Sequence, residues 1–296
     1  MDRAFDLQGH RGARAQFPEN TLAGFRRTRA LGVTSIELDV AVTRDGVPVV
    51  SHDVRLNPDL TRDAAGAWID GPGPLIRSLS LAQLQSYDVG RLRPGSATAR
   101  SFPRQQPIDG QRIPTLAAVL EALPDVMVDA EIKTLPGEPE ATVAPADMVD
   151  RIVDVAMAMD ALPRLRLRAF DWRPLRHARR MHPLVPIAWL TGRHTMADTQ
   201  AWWGLAAVAS IARAVAEEAE GSEWRAVWAP QHNLLTREDL AEAQALGLAV
   251  TPWTVNEAAD MVRLINWGVN GICTDAVDVL RGVMAGEGMT PPQSRF

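Results

Sequence analysis

The 296-residue sequence is 46% hydrophobic and 23% charged with a formal net charge of −5, a globular composition that argues against nucleic acid or a membrane surface as the main partner. Its one cysteine, Cys273, excludes an internal disulfide and favours a reducing compartment. Neither Met1 to Leu7 nor any later stretch has the unbroken apolar run of a signal peptide or a membrane span, so a cytoplasmic protein with no stable membrane insertion is expected.

In chain order, Phe5 to His10 reads as a strand, followed by a helix from Asn20 to Leu31 that carries Leu22, Phe25 and Ala30 as an apolar stripe and is closed by Gly32. Ser35 to Val40 is the second strand. Thr43-Arg44-Asp45-Gly46 is a hairpin signal, so Val47 to His52 is expected to fold back on that strand. Residues 53–112 are rich in Gly, Pro, Asp and Arg, with one helical patch at Leu79 to Tyr87. That is too long for an ordinary loop and predicts a small lid or subdomain.

Helices are then expected at Thr115 to Leu123, Pro145 to Met159, Pro174 to Met181, Arg237 to Leu246 and Glu257 to Trp267. Strands are expected at Val126 to Lys133, Leu165 to Phe170, Val185 to Leu190, Ala226 to Ala229, Leu248 to Trp253 and Gly271 to Thr274. An excursion from Met196 to Trp224 contains Trp202 and Trp203, and a disordered tail is expected over 286–296. Strand–helix alternation implies parallel strands, and eight such units predict an α/β fold of the TIM-barrel type, (β/α)₈. The expected organisation is one catalytic barrel over 1–285, with the 53–112 insertion between strand two and helix two.

The chemistry concentrates at strand ends, where the sites of such barrels lie. In Ser35-Ile36-Glu37-Leu38-Asp39-Val40, apolar residues alternate with two carboxylates. The period of two sends Glu37 and Asp39 into the barrel. Asp129, Glu131 and Lys133 share a face of the next barrel strand. Glu37, Asp39 and Glu131 therefore converge as hard oxygen ligands, suited to Mg²⁺ or Ca²⁺, with Mn²⁺ also admissible, rather than zinc. The alternative is a buried charge network with arginine partners. His10-Arg11-Gly12 ends the first strand and His52-Asp53 the returning hairpin, which puts two proton carriers and a bidentate phosphate ligand at one mouth. Of 31 cationic side chains only Lys133 is a lysine, and a compact ammonium beside carboxylates suggests a site for metal and phosphate together.

The sequence resembles the glycerophosphodiester phosphodiesterase family. The resemblance rests on His10-Arg11-Gly12, Pro18-Glu19-Asn20-Thr21, Glu37-Leu38-Asp39-Val40, Asp45-Gly46-Val47-Pro48-Val49-Val50, His52-Asp53, Ile113-Pro114-Thr115-Leu116 and Glu131-Ile132-Lys133. Later matches are Trp253-Thr254-Val255-Asn256, Gly268-Val269-Asn270-Gly271-Ile272 and Thr274-Asp275, in family order along nearly the whole chain. It implies a metal-dependent phosphodiesterase that releases sn-glycerol 3-phosphate and an alcohol from a small-molecule glycerophosphodiester. Glu37, Asp39 and Glu131 are then the metal ligands, His10 and His52 the acid–base pair, and Arg11 and Lys133 the phosphate contacts. The motif of Glu19 and Asn20 places them near the first site loop, with capping of the helix that follows as the rival role of Glu19.

Trp253, at the end of the seventh strand, is the candidate substrate contact, walling the glycerol or facing a cationic head group, with core packing as the rival role. Trp172, Trp189 and Trp228 read as packing residues. His177, His182 and His194 fall outside the strand-end clusters and read as surface or supporting residues. The segment Val54 to Arg62 departs from the family pattern and leaves the alcohol open. A sphingomyelinase D-like or lysophospholipase D-type phospholipase is the enzymatic alternative, and a catalytically silent barrel that binds phosphate esters is the alternative of another class.

Overall fold

The computed structural model describes residues 5–295. Residues 1–4, which include most of the stretch Met1 to Leu7, and residue 296 at the end of the expected tail lie outside the described residues. The chain opens with β1 (Asp6–Gly9), α1 (Leu22–Leu31), β2 (Ser35–Val42) and β3 (Pro48–Val50). Short helices α2 (Leu81–Leu84) and α3 (Ala97–Ser101) follow in the insertion, then α4 (Leu116–Ala122), β4 (Met127–Ile132), α5 (Pro145–Ala158), β5 (Leu165–Ala169), α6 (Trp172–Met181) and β6 (Ile187–Thr191). After α7 (Arg193–Met196), α8 (Thr199–Trp203) and α9 (Ile211–Glu218) come β7 (Val227–Pro230), α10 (Arg237–Ala245), β8 (Ala249–Val250), α11 (Ala258–Trp267), β9 (Gly271–Thr274) and α12 (Val277–Gly286).

Eight strands run parallel in the order β8-β7-β6-β5-β4-β2-β1-β9, with β3 pairing antiparallel on β2. Backbone bonds close the seam between the ends of this row. Asn270 N–H donates to Val250 O at 2.9 Å, and Cys273 N–H donates to Pro252 O at 3.0 Å. The (β/α)₈ barrel expected from the alternation is therefore the observed one. All eight residues of β2 are buried. Ile36, Leu38 and Val40 join the large core under the helices, so by the same alternation Glu37 and Asp39 face the barrel interior.

Helix starts follow their capping residues. Thr21, Thr115, Asp171, Asp198, Ser210 and Thr236 each accept a backbone N–H of the first turn, satisfying donors the helix itself cannot. Helix α9 occupies part of the Met196–Trp224 excursion, and α12 follows β9. The 53–112 segment folds on a second, smaller core of Ala41, Val49, Leu56, Ile76, Leu84 and Ile113, which includes one residue each from β2 and β3. Its expected helical patch at Leu79 to Tyr87 shrinks to α2, where Ser80 and Gln83 form a capping box.

The tail corrects its expectation. Up to residue 295 it lies against α1: Arg295 N–H donates to Ala30 O at 2.9 Å and Ser294 Oγ to Leu31 O at 3.1 Å. Arg281 clamps it from α12, donating to Gly32 O and to Pro292 O, both at 2.7 Å. Gly32 has φ 84°, and a side chain there would meet the Gln293 carbonyl oxygen at 2.5 Å. The glycine thus serves the tail as well as the helix cap. Composition predicted disorder because the order comes from carbonyls of a distant helix, which no local pattern reveals.

Candidate functional site

The loop after β1 is built on left-handed backbone. Arg11, Gly12 and Ala13 have φ of 50°, 75° and 55°, and Asn20 has φ of 54°. At the non-glycine positions Arg11, Ala13 and Asn20 such backbone costs of order 1–3 kcal/mol each and persists only where surroundings hold it. Gly12 also needs its missing side chain, because a Cβ would sit 2.8 Å from Phe25 Cδ1. The turn aims Arg11 at the strand carboxylates. Its backbone N–H donates to Glu37 Oε2 at 3.1 Å and its Nη1 to Glu19 Oε1 at 3.0 Å, while its Nε lies 3.4 Å from Asp39 Oδ2. Glu19 thus belongs to the site loop.

Parallel pairing of β2 with β4 sets Asp39 beside Glu131 and Glu37 beside Asp129. Glu37, Asp39 and Glu131 are all buried, and an oxygen of each lies within 4.8 Å of the others. Lys133 Nζ is 3.0 Å from Asp39 Oδ1 and hydrogen-bonds Glu131. Asn20 Nδ2 donates to Asp39 Oδ2 at 2.9 Å. Glu37 Oε1 is buried with no hydrogen-bond partner among the described residues, an orphan acceptor that a cation would satisfy.

Burial first, and then the charge of Asp39, pushes the Glu37 carboxyl up to about 8. Burial pushes Asp39 the same way, but Lys133, His52 and Arg11 overcome it and hold that carboxyl well below the usual range. Three carboxylates, an unused oxygen and a raised pKa make a donor set that fits a hard divalent cation.

Asp129 is not part of this group. It sits one layer deeper, taking two bonds of 2.7 Å from Arg166 and one of 2.6 Å from Gln8. Arg168 bonds Gln8 Oε1 at 2.7 Å and lies 3.6 Å from Asp129. The buried network with arginine partners therefore exists, beneath the carboxylate triad rather than in its place.

His10 Nδ1 donates to Asp275 Oδ1 at 2.6 Å, and its Nε2 stands 3.7 Å from Glu37 Oε2. Burial lowers its pKa to about 4, against the upward pull of Asp275. Asp275 is itself held by Arg14 Nε and Asn256 Nδ2, both at 2.8 Å, and its carboxyl lies below the usual range because the charges of His10 and Arg14 outweigh burial. His52 Nδ1 donates to Asp53 Oδ1 at 2.8 Å, and Asp53 takes a second bond of 2.7 Å from Asn57. Both histidines are thus oriented through Nδ1, which leaves Nε2 for chemistry.

A cavity of about 480 Å³ opens among His52, Asp53, Arg55, Glu131, Lys133 and Phe170, with His194 and Trp202 on its wall. Trp253 is half-buried, its Nε1 donates to Ala229 O at 2.9 Å, and it packs edge-on to Phe170 at 5.1 Å. Trp172, Trp189 and Trp228 are buried packing residues, as expected.

The structure thus gathers His10, Arg11, Glu37, Asp39, Glu131, Lys133 and His52 at one end of the barrel. Placing His194 outside the mouth needs correction. Its ring lies 4.8 Å from that of Phe170 at a tilt of 57° and 5.1 Å edge-on from Trp202, and its position just past β6 was the available signal. Asn20 lies in the first site loop, as its motif suggests, whereas Asp275, Asn256 and Arg14 carry no role in the sequence reading, although two of the three lie in quoted motifs.

Residues 10–279 match the model of the Glycerophosphoryl diester phosphodiesterase family. The chain is 28% identical over 273 residues to a glycerophosphodiester phosphodiesterase of Caldanaerobacter subterraneus subsp. tengcongensis, covering 92% of this chain and 94% of that one. Among solved structures, one from Silicibacter pomeroyi that carries the same family's name superposes with a TM-score of 0.89 at 33% identity, over 98% of this chain and 96% of that one. An Oleispira antarctica phosphodiesterase in complex with the product sn-glycerol-3-phosphate shares the fold, with a TM-score of 0.70, 22% identity and coverage of 95% and 96%.

Proposed function

The chain belongs to the glycerophosphoryl diester phosphodiesterase family, and from that membership we propose that it hydrolyses a small-molecule glycerophosphodiester to sn-glycerol 3-phosphate and an alcohol. The observation that carries the reading is the convergence of Glu37, Asp39 and Glu131 within 4.8 Å of one another, beside two histidines each oriented by a carboxylate. The product named for the Oleispira antarctica protein supports the same substrate class here.

Glu37, Asp39 and Glu131 are the residues that would hold a divalent cation, Mg²⁺ or Ca²⁺ by ligand type, with Mn²⁺ also suited. When bound, it would neutralise charge on the non-bridging phosphate oxygens and polarise the phosphorus centre. Lys133 offers three ammonium protons. Asp39 and Glu131 engage two of them, which leaves one for a phosphate oxygen. Arg11 Nε is buried without a hydrogen-bond partner among the described residues and supplies a second donor. Donors fixed in advance of the reaction stabilise charge that grows in the transition state.

His10, neutral at pH 7 with its proton directed to Asp275, takes a proton at Nε2 from the attacking hydroxyl. His52 returns one to the departing alcohol. Phe170, His194 and Trp202 wall the cavity beside Lys133 and receive that alcohol, with Trp253 bracing Phe170 from behind.

Hydrolysis of glycerophosphocholine, glycerophosphoethanolamine and a lysophospholipid, with EDTA and after restoring Mg²⁺, Mn²⁺ or Ca²⁺, tests the proposal. Turnover of a glycerophosphodiester that stops with the chelator is expected. Activity untouched by EDTA would remove the cation from the reading, and no turnover of any diester would remove the reaction. His10→Ala and His52→Ala should each lower turnover by roughly two to four decades. A near-parental rate in either excludes that histidine from proton transfer.

A further inference from the structure

A second cluster of metal-type side chains lies on the outer helical layer, away from the mouth. Asp150 stands on α5, His177 on α6 and His182 at the C-cap of α6. Both imidazoles direct Nε2 at the same oxygen, Asp150 Oδ1, at 2.7 and 2.9 Å. A ligand atom of each residue lies within 4.8 Å of the others. The two rings meet at 70° with centroids 6.4 Å apart, so they approach the shared point from different directions. The imidazole side chains are 18% and 22% exposed and the carboxylate 48%, which shelters the nitrogens and leaves an open side for water.

Three of the four arginines of α6 are engaged elsewhere: Arg173 bonds Asp171, Arg176 bonds Glu218, and Arg179 bonds the Glu218 and Glu220 carbonyls at and just past the end of α9. We propose that Asp150, His177 and His182 form a second cation site, for a borderline transition metal of the zinc class, that cross-links α5 to α6.

The ligand set separates this site from the mouth. Two imidazole nitrogens and one carboxylate are a zinc-type set, whereas three carboxylates suit a hard cation. Metal–ligand distances of about 2.0–2.2 Å in a tetrahedron put ligand atoms roughly 3.3 Å apart. Each imidazole need therefore retreat only about half an ångström from the carboxylate, exchanging a shared hydrogen bond for coordination, with water as the fourth ligand. Each ring keeps one proton, moved from Nε2 to Nδ1. Reactions on such barrels take place at the C-terminal ends of the strands, whereas this cluster ties α5 to α6 on the outer layer, so the expected consequence of binding is a more stable fold.

The test uses the full chain without an affinity tag, stripped by chelator, with Zn²⁺ or Co²⁺ as the only added ligand. Zn²⁺ at a hundredfold excess over its dissociation constant should raise Tm by about 4–8 °C. Co²⁺ should give the intense visible absorption of a four-coordinate centre. Both signals should persist in Glu131→Gln, which alters only the mouth, and vanish in His182→Gln. Asp150→Asn is the sharper variant, because the amide oxygen still accepts both imidazole protons. A clamp made only of hydrogen bonds survives it, whereas metal affinity should fall at least tenfold. Equal Zn²⁺ and Co²⁺ responses in Asp150→Asn or His182→Gln and the parent overturn the proposal. So does a response lost only in Glu131→Gln, or no response in the parent.

Discussion

Lys133 and His10 show how single side chains set the electrostatics of the mouth. The Lys133 ammonium fits between Asp39 and Glu131 because it is compact. A guanidinium keeps the charge but spreads it over a planar fork with a fixed donor geometry. Lys133→Arg should therefore fold with Tm near the parent yet lose at least tenfold in kcat/KM. Parental kcat/KM would mean that the charge alone matters. Asp275 acts through His10, as a positioning residue that fixes the proton on Nδ1 and raises the basicity of the ring. Asp275→Asn should lower kcat by roughly two to four decades, as for comparable acid–base machinery. It should also move the acidic limb of the pH profile to lower pH, because removing a carboxylate lowers the pKa of His10 further. A lower kcat with an unmoved limb would give Asp275 a merely structural role.

At the scale of elements, β2 carries most of what the sequence made legible. Its strict alternation assigns Glu37 and Asp39 to the interior without any tertiary knowledge, and Glu131 follows from the same period on β4. The same period could not separate Asp129 from Glu131. Layering inside a barrel depends on strand stagger, and stagger is set by pairing partners that alternation does not specify. Helices α9 and α12 are amphipathic stretches that the sequence pass left unassigned, α9 inside the Met196–Trp224 excursion and α12 between β9 and the tail. His194 stands in α7 only three residues past β6, and what the sequence does not show is that this short helix turns its ring toward Phe170 and Trp202. The tail was misjudged because its partners are α1 carbonyls more than 260 residues away.

The β2–β4 pairing also has a measurable consequence. With its carboxyl pushed up to about 8, Glu37 carries a proton at pH 7 that a bound cation must displace. Cation binding at pH 7 should release about one proton, and at pH 9 none. Calorimetry in buffers of different ionisation enthalpy reads this directly. A release that does not change between the two would place the proton elsewhere.

For the whole molecule, the buried neutral His10 couples stability to pH. Its folded pKa of about 4 lies below the ordinary 6.5. The unfolded chain therefore binds the extra proton first, and stability falls as pH drops from 6.5 toward 4, by on the order of 3 kcal/mol. In the cation-free protein Glu37 works the other way. Its raised pKa means that the folded state holds the extra proton between 4.5 and about 8, so stability is gained on acidification through that window. Between pH 4.5 and 6.5 the two slopes oppose each other in the cation-free parent, so denaturant unfolding at several pH values should show His10→Gln gaining more stability on acidification than the parent does. Identical slopes would mean that His10 is not the residue responsible.

The composition of the chain leaves a single lysine ammonium in a folded molecule that answers every other call for a cation with arginine. An amine-selective acylating reagent thus has one side-chain target, distinguishable by mass from the terminal amine. That target is 12% exposed and lies between two carboxylates. The rate of labelling becomes a footprint of the mouth, slow in the native protein, slower still when a phosphate occupies it, and fast once the barrel opens. A lysine-specific protease would likewise cut this chain at one peptide bond, and only after β4 has come away from its neighbours.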